Sequence, residues 1–148
     1  MNRISPFGLS ALLIVFGDLI HGPVLACTLS FNSGQVITGV ALAHTPEQHS
    51  LGLSGRPIID QSMLFVWPEA QVRRFWMKDT HQPLVLYYLD EQARIFQQLS
   101  MMPHSEYHHF SQSPARYALE LPQVMANQVN LSVGSVLSSV ECLHEPHE

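Results

Sequence analysis

The chain opens on one continuous apolar block and then changes rhythm. Phe7 to Phe16 is hydrophobic except at Gly8 and Ser10, with Arg3 before it and Asp18, His21 and Pro23 after it. A positive start, a short apolar core and a polar approach to Val24-Leu25-Ala26-Cys27 predict a secretory signal over residues 1–26. The core is about ten residues long, against roughly 20 needed to span a bilayer, so it reads as a signal and not as an anchor.

Beyond it, short β-branched and apolar runs alternate with turn residues. Thr28 to Phe31 and Gln35 to Ala43 predict a hairpin around Asn32-Ser33-Gly34. Thr45-Pro46-Glu47-Gln48 predicts a helix start: Thr45 caps, Pro46 sits where its missing N–H costs nothing, and Gln48 completes a capping box. Gly52, Gly55 and Pro57 stop that helix. Ser62 to Trp67, ended by Pro68, and Val72 to Met77 read as strands. Leu84 to Leu89 and Arg94 to Leu99 read as a second hairpin around Asp90-Glu91-Gln92-Ala93. A polar loop from Pro103 to Pro114, a strand from Tyr117 to Leu121, a helical turn from Val124 to Gln128 and a last strand from Val136 to Cys142 complete the chain. The sum is a mainly β (α+β) domain of about 122 residues. Its expected form is a small, mostly antiparallel β-barrel or folded sheet with one or two short helices.

The net charge is −5 with histidines neutral, and only 7 residues are Lys or Arg, which leaves no basic stripe for phosphates and excludes a nucleic-acid partner. Two cysteines follow the signal, Cys27 and Cys142. An oxidising compartment, periplasmic or otherwise extracytoplasmic, permits a bridge between them. Closing a loop of about 115 residues contributes roughly 4 kcal/mol on chain-entropy grounds. The competing reading is that Val24-Leu25-Ala26-Cys27 is a lipobox. Cys27 is then the lipidated first residue and the protein contacts a membrane.

Four blocks carry a family resemblance: Gly52-Leu53-Ser54-Gly55-Arg56; Met63-Leu64-Phe65; Phe75-Trp76-Met77-Lys78-Asp79-Thr80 with Pro83-Leu84; and Tyr117-Ala118-Leu119-Glu120-Leu121. In order and spacing the chain resembles the domain of unknown function 192 family over residues 36–142. The resemblance implies a small, mainly β fold, frequent export and no established activity. The chain departs from the family's usual Arg at His49, Met at Ser54, Gly at Ser62, Asp at Val85, and Gly in the stretch Gln123-Val124-Met125. Loss of the aspartate at Val85 is expected to remove an acidic group near Lys78 and Thr80, altering or silencing any site that depends on it.

The block from Arg74 to Pro83 concentrates the candidate chemistry. On an extended strand Phe75, Met77 and Asp79 share one face, while Trp76, Lys78 and Thr80 share the other. With Arg56 approaching from the loop after the first helix, and Glu120 nearby, this predicts a small cationic recess for an anionic or hydroxyl-rich ligand. The alternative is structural: Trp76 and Met77 are core, Lys78 pairs with Asp79 or Glu120, Thr80 caps the turn before Pro83, and Arg56 forms an ion pair with Glu120. His104, His108 and His109, preceded by Met101 and Met102 and echoed by His144 and His147, raise a copper site, against solvated loop histidines. No serine triad, Cys–His pair or glycine-rich phosphate loop is visible, so no cofactor is expected. The expected function is an extracytoplasmic binding or interaction module, its partner a small ligand or an envelope protein. An enzyme of unknown class, using Lys78 or Asp79 as its titratable group, is the alternative, and metal handling is the third reading.

Overall fold

The structure is a computed structural model that describes residues 26–57 and 61–143. The signal segment apart from Ala26, and the tail histidines His144 and His147, lie outside the described residues. The elements in chain order are β1 (Ala26–Phe31), β2 (Val36–Ala43), α1 (Pro46–Leu51), β3 (Met63–Gln71), β4 (Arg74–Phe75), β5 (Leu84–Leu89), β6 (Ile95–Met101), β7 (His109–Phe110), β8 (Ala115–Pro122), α2 (Gln123–Val129) and β9 (Leu137–Leu143).

Seven strands form one folded sheet in the order β6-β5-β8-β3-β2-β1-β9, and β4 pairs with β7 in a separate two-stranded ribbon. Every pairing is antiparallel except β2 with β3, which the intervening α1 makes parallel. The sheet does not close into a barrel. Its two ends meet at a single bridge, Arg94 with Val136.

Both predicted hairpins form, each for a local reason. Gly34 takes φ 94° in the first turn. In the second, the Asp90 side chain accepts from the N–H groups of Gln92 and Arg94 at 2.9 and 3.0 Å while Ala93 takes φ 59°. The capping box is present as expected: Gln48 N–H donates to Thr45 Oγ1 at 3.2 Å, and Thr45 N–H donates to the Gln48 side chain at 3.1 Å.

Two strand expectations are corrected. Pro68 does not end β3, which continues to Gln71. Pairing with β2 stops at Phe65 and the ladder to β8 is broken between Val66 and Gln71, so the missing N–H of Pro68 forfeits no bond. The run from Val72 to Met77 yields only the two residues of β4, because the chain turns immediately after Trp76.

Strand alternation divides the sheet into two cores. Val85, Tyr87, Leu119, Leu121, Leu64, Leu29 and Val40 lie on one face, where α2 contributes Ala126. Leu84, Leu86, Tyr88, Phe65, Met63 and Ala118 lie on the other, covered by Leu53 from the loop after α1 and by Met77. Cys27 and Cys142 are register partners on β1 and β9 and form a disulfide. Their sulfurs are therefore committed to each other, and a lipid thioether on Cys27 would compete for the same atom. No described helix is long and apolar enough to cross a membrane.

Candidate functional site

The second face is incompletely covered, and the gap is a cleft of about 780 Å³. One wall is the loop Gly52–Ser54 after α1, another is the segment Val72–Thr80, and Phe65 and Trp67 of β3 with Glu120 of β8 lie beneath.

The wall is held by short-range bonds. Met77 to Thr80 forms a tight turn, with Thr80 N–H donating to Met77 O at 3.0 Å and Asp79 at φ 56°. From one side Gly55 N–H donates to Asp79 O at 2.8 Å and Ser54 Oγ donates to Lys78 O at 3.2 Å. From the other, Met77 N–H donates to Ser105 O and His104 N–H donates to Thr80 O, at 2.9 and 3.0 Å. The turn ends the strand alternation. Phe75 and Met77 do point inward and Trp76 and Lys78 outward, but Thr80 is buried and Asp79 is exposed, the reverse of the extended-strand expectation.

Of the predicted recess, Trp76, Lys78, Asp79, Thr80 and Glu120 all line the cleft. Arg56 does not: its guanidinium donates to the side chain of Gln61. The Arg56–Glu120 ion pair is thereby replaced. Trp76 is 47 % exposed, so it is not core, whereas Met77 is fully buried. Lys78 Nζ stands 5.4 Å from the Trp76 ring centre, a cation–π contact at the rim.

Glu120 is the unexpected member. It is 4 % exposed, and its register partners are Met63 on β3 and Leu86 on β5. Among the described residues no side chain or N–H donates a hydrogen bond to its carboxyl. Burial among apolar groups disfavours the charged form and pushes its pKa up to about 8. The enzyme alternative named Lys78 and Asp79 as the titratable groups; both sit exposed at the rim, and the buried acid is Glu120. Its signal in the sequence was a lone carboxylate within Ala118-Leu119-Glu120-Leu121-Pro122, a strand apolar on both faces.

Three further cleft residues escaped sequence reasoning. His49 Nε2 lies 3.1 Å from Ala43 O and 3.0 Å from Val66 O, so Nε2 carries the proton, and the ring packs at 4.7 Å on Trp67. Arg73 sits 4.4 Å over Trp67 and donates to the carbonyls of Glu69 and Ala115 at 2.7 and 3.2 Å. Apart from the Arg73 bond to Glu69 O, four residues away, these contacts join residues six or more apart in sequence.

Val85 lies on the opposite face of the sheet, in the other core. An acid at this position could not point into the cleft, so the expected loss near Lys78 and Thr80 is corrected. The histidine loop is distributed over separate contacts. His104 packs on His81, His108 on Trp76 and His109 on Tyr107, Met101 is buried in the core and Met102 is exposed. Among the described residues no three His, Cys, Asp or Glu side chains converge on a metal position.

A family model for DUF192, uncharacterized ACR, matches residues 29–139. The chain belongs to this family. Two solved structures share the fold. One is a Sinorhizobium meliloti 1021 protein proposed as a transcription regulator, 30% identical, with TM-score 0.68, covering 80% of this chain and 92% of its own. The other is a protein of unknown function from Novosphingobium aromaticivorans DSM 12444, 23% identical, with TM-score 0.67, covering 80% and 84%. No curated protein matches the chain. The DUF192 match spans α1, the Met77–Thr80 turn and β8, so every element that builds the cleft lies within it.

Proposed function

We propose that this DUF192 protein is an exported, disulfide-closed binding module whose cleft takes a small ligand against Glu120. The carrying observation is the Glu120 carboxyl itself, buried on a cleft floor with no donor or acceptor of the described residues answering it. Among the described residues other buried polar side chains are answered, with His109 Nε2 the exception. Tyr88 OH donates to His109 O at 2.6 Å, and Gln97 bridges the backbone of Phe110 and Gln112. An unanswered buried carboxyl costs folding free energy, on the order of 1–3 kcal/mol, and a ligand that completes its hydrogen bonds recovers that cost. Export is supported by the signal-like start and by the Cys27–Cys142 bridge. The regulator assignment of the Sinorhizobium relative is not carried over, since 7 Lys and Arg in a chain of net charge −5 supply no phosphate-binding stripe.

The test is a thermal-shift ligand screen on the mature protein and its Glu120→Leu variant. The variant should melt higher than the wild type without ligand and lose the stabilisation that hits confer. Equal stabilisation of both proteins by the same hits would place the site elsewhere. A less stable variant together with an empty screen would defeat the reading. The second reading is an enzyme in which Glu120, protonated at neutral pH, delivers a proton within the cleft. Turnover that disappears in Glu120→Gln while ligand binding survives would favour it.

A further inference from the structure

The charge distribution around the cleft identifies the chemistry of its occupant. The protein as a whole is acidic, yet three of its seven Lys and Arg residues, Arg73, Arg74 and Lys78, line this one cleft. Asp79 is the only exposed acid among the lining residues, and Glu120 lies at the floor. Arg73 is largely committed, through its carbonyl contacts and its seat over Trp67. Arg74 and Lys78 are exposed at the rim. Aromatic surface adjoins these cations, with the exposed ring of Trp76 beside Lys78 and the half-buried ring of Phe75 facing inward. Cations, rings and a buried carboxyl thus line one cleft.

Building on the binding reading above, we infer that the ligand is a small ring-bearing organic carboxylate that also carries a hydroxyl. Its carboxylate meets Lys78 and Arg74, its ring lies on Trp76, and its hydroxyl enters to bond Glu120. The rim selects against cations, which would meet two positive side chains, and the floor rewards an oxygen that accepts from a neutral carboxyl.

A pH signature follows. The groups facing Glu120 are the Tyr88 hydroxyl from β5 and, across the cleft, Arg73, Arg74, Lys78 and Asp79, with His49 and His108 on its walls. A change from pH 7.2 to 9.5 passes through the value of about 8 to which burial pushes the Glu120 carboxyl. Once ionised, it repels an anion held in the cleft.

The experiment is calorimetry of the mature protein at those two pH values with 4-(hydroxymethyl)benzoate and with glucuronate, two sources of the same chemistry. Their uncharged counterparts, 4-(hydroxymethyl)benzamide and glucose, and a quaternary ammonium analogue of the benzoate serve as comparisons. At least one carboxylate should bind tenfold or more tightly than its uncharged counterpart, and weaken about tenfold at the higher pH. Glu120→Gln should abolish the pH effect, and Lys78→Gln with Arg74→Gln should abolish the preference for the anion. Which carboxylate binds distinguishes an aromatic acid from a sugar acid. Failure of both, or tighter binding of the ammonium or uncharged compounds, overturns this inference. The binding reading then stands if the screen yields other ligands sensitive to Glu120→Leu, and falls if it yields none.

Discussion

Leu86 and Glu120 face one another across the β5–β8 ladder, so a carboxyl group is held against a leucine where an ion pair with Arg56 was expected. This pairing determines how the protein should respond to pH. A folded-state pKa of about 8, against an ordinary 4.5, means the folded protein retains a proton that the unfolded chain has released. The contribution of Glu120 is therefore most favourable below about pH 4.5 and is lost as pH rises through about 8. A shift of that size corresponds to several kcal/mol, on the order of 5. Denaturant titrations at pH 5 and pH 9 should show wild-type stability falling relative to Glu120→Gln, and parallel curves would contradict the burial of the proton.

The Tyr88 hydroxyl ties the sheet to the small ribbon by donating to His109 O at 2.6 Å. Burial holds its pKa above the usual tyrosine value, so the phenol remains a donor. Tyr88→Phe should cost about 1–3 kcal/mol, because a buried carbonyl loses its partner. Amide exchange at His109 and Phe110 should accelerate more than exchange in β8.

Gly52 combines φ 50° with ψ −131°, and a Cβ there would lie 3.4 Å from Phe65 Cζ. Gly52→Ala should destabilise by about 1–3 kcal/mol through backbone strain. Since Gly52 begins the loop that holds the Lys78–Asp79 wall, ligand affinity should fall along with the melting temperature. Unchanged stability would show that the loop has another conformation available.

Removing the bridge with Cys27→Ala and Cys142→Ala should lower stability by about 2–5 kcal/mol, measured by denaturant unfolding against the oxidised wild type. β9 is an edge strand with β1 as its sole partner in the sheet, so loosening should be concentrated there.

The fold was largely legible because its signals are local. The capping box of Thr45 and Gln48, the turn chemistry of Asp90 and the glycine at 34 each act within five residues. That Trp76, Lys78 and Thr80 share one recess was legible for a similar reason, being close together in one segment. What sequence could not supply was the second layer. Glu120 on a lone sheet would face water, and only the loop after α1 and the Met77–Thr80 turn convert that position into a buried floor. His49, Trp67 and Arg73 come together through the same non-local folding, and Val85 fell on the wrong side because strand parity relative to the cleft depends on it.

Ala26 and Leu143, at the two ends of the described chain, are register partners, and one residue inward from each the sulfurs are joined. From Cys27 to Cys142 the polypeptide is thus a covalent ring. A protease that cuts any one exposed loop of that ring produces a nicked molecule and not two fragments. The cleft walls stay attached to the sheet they cover after such a cut.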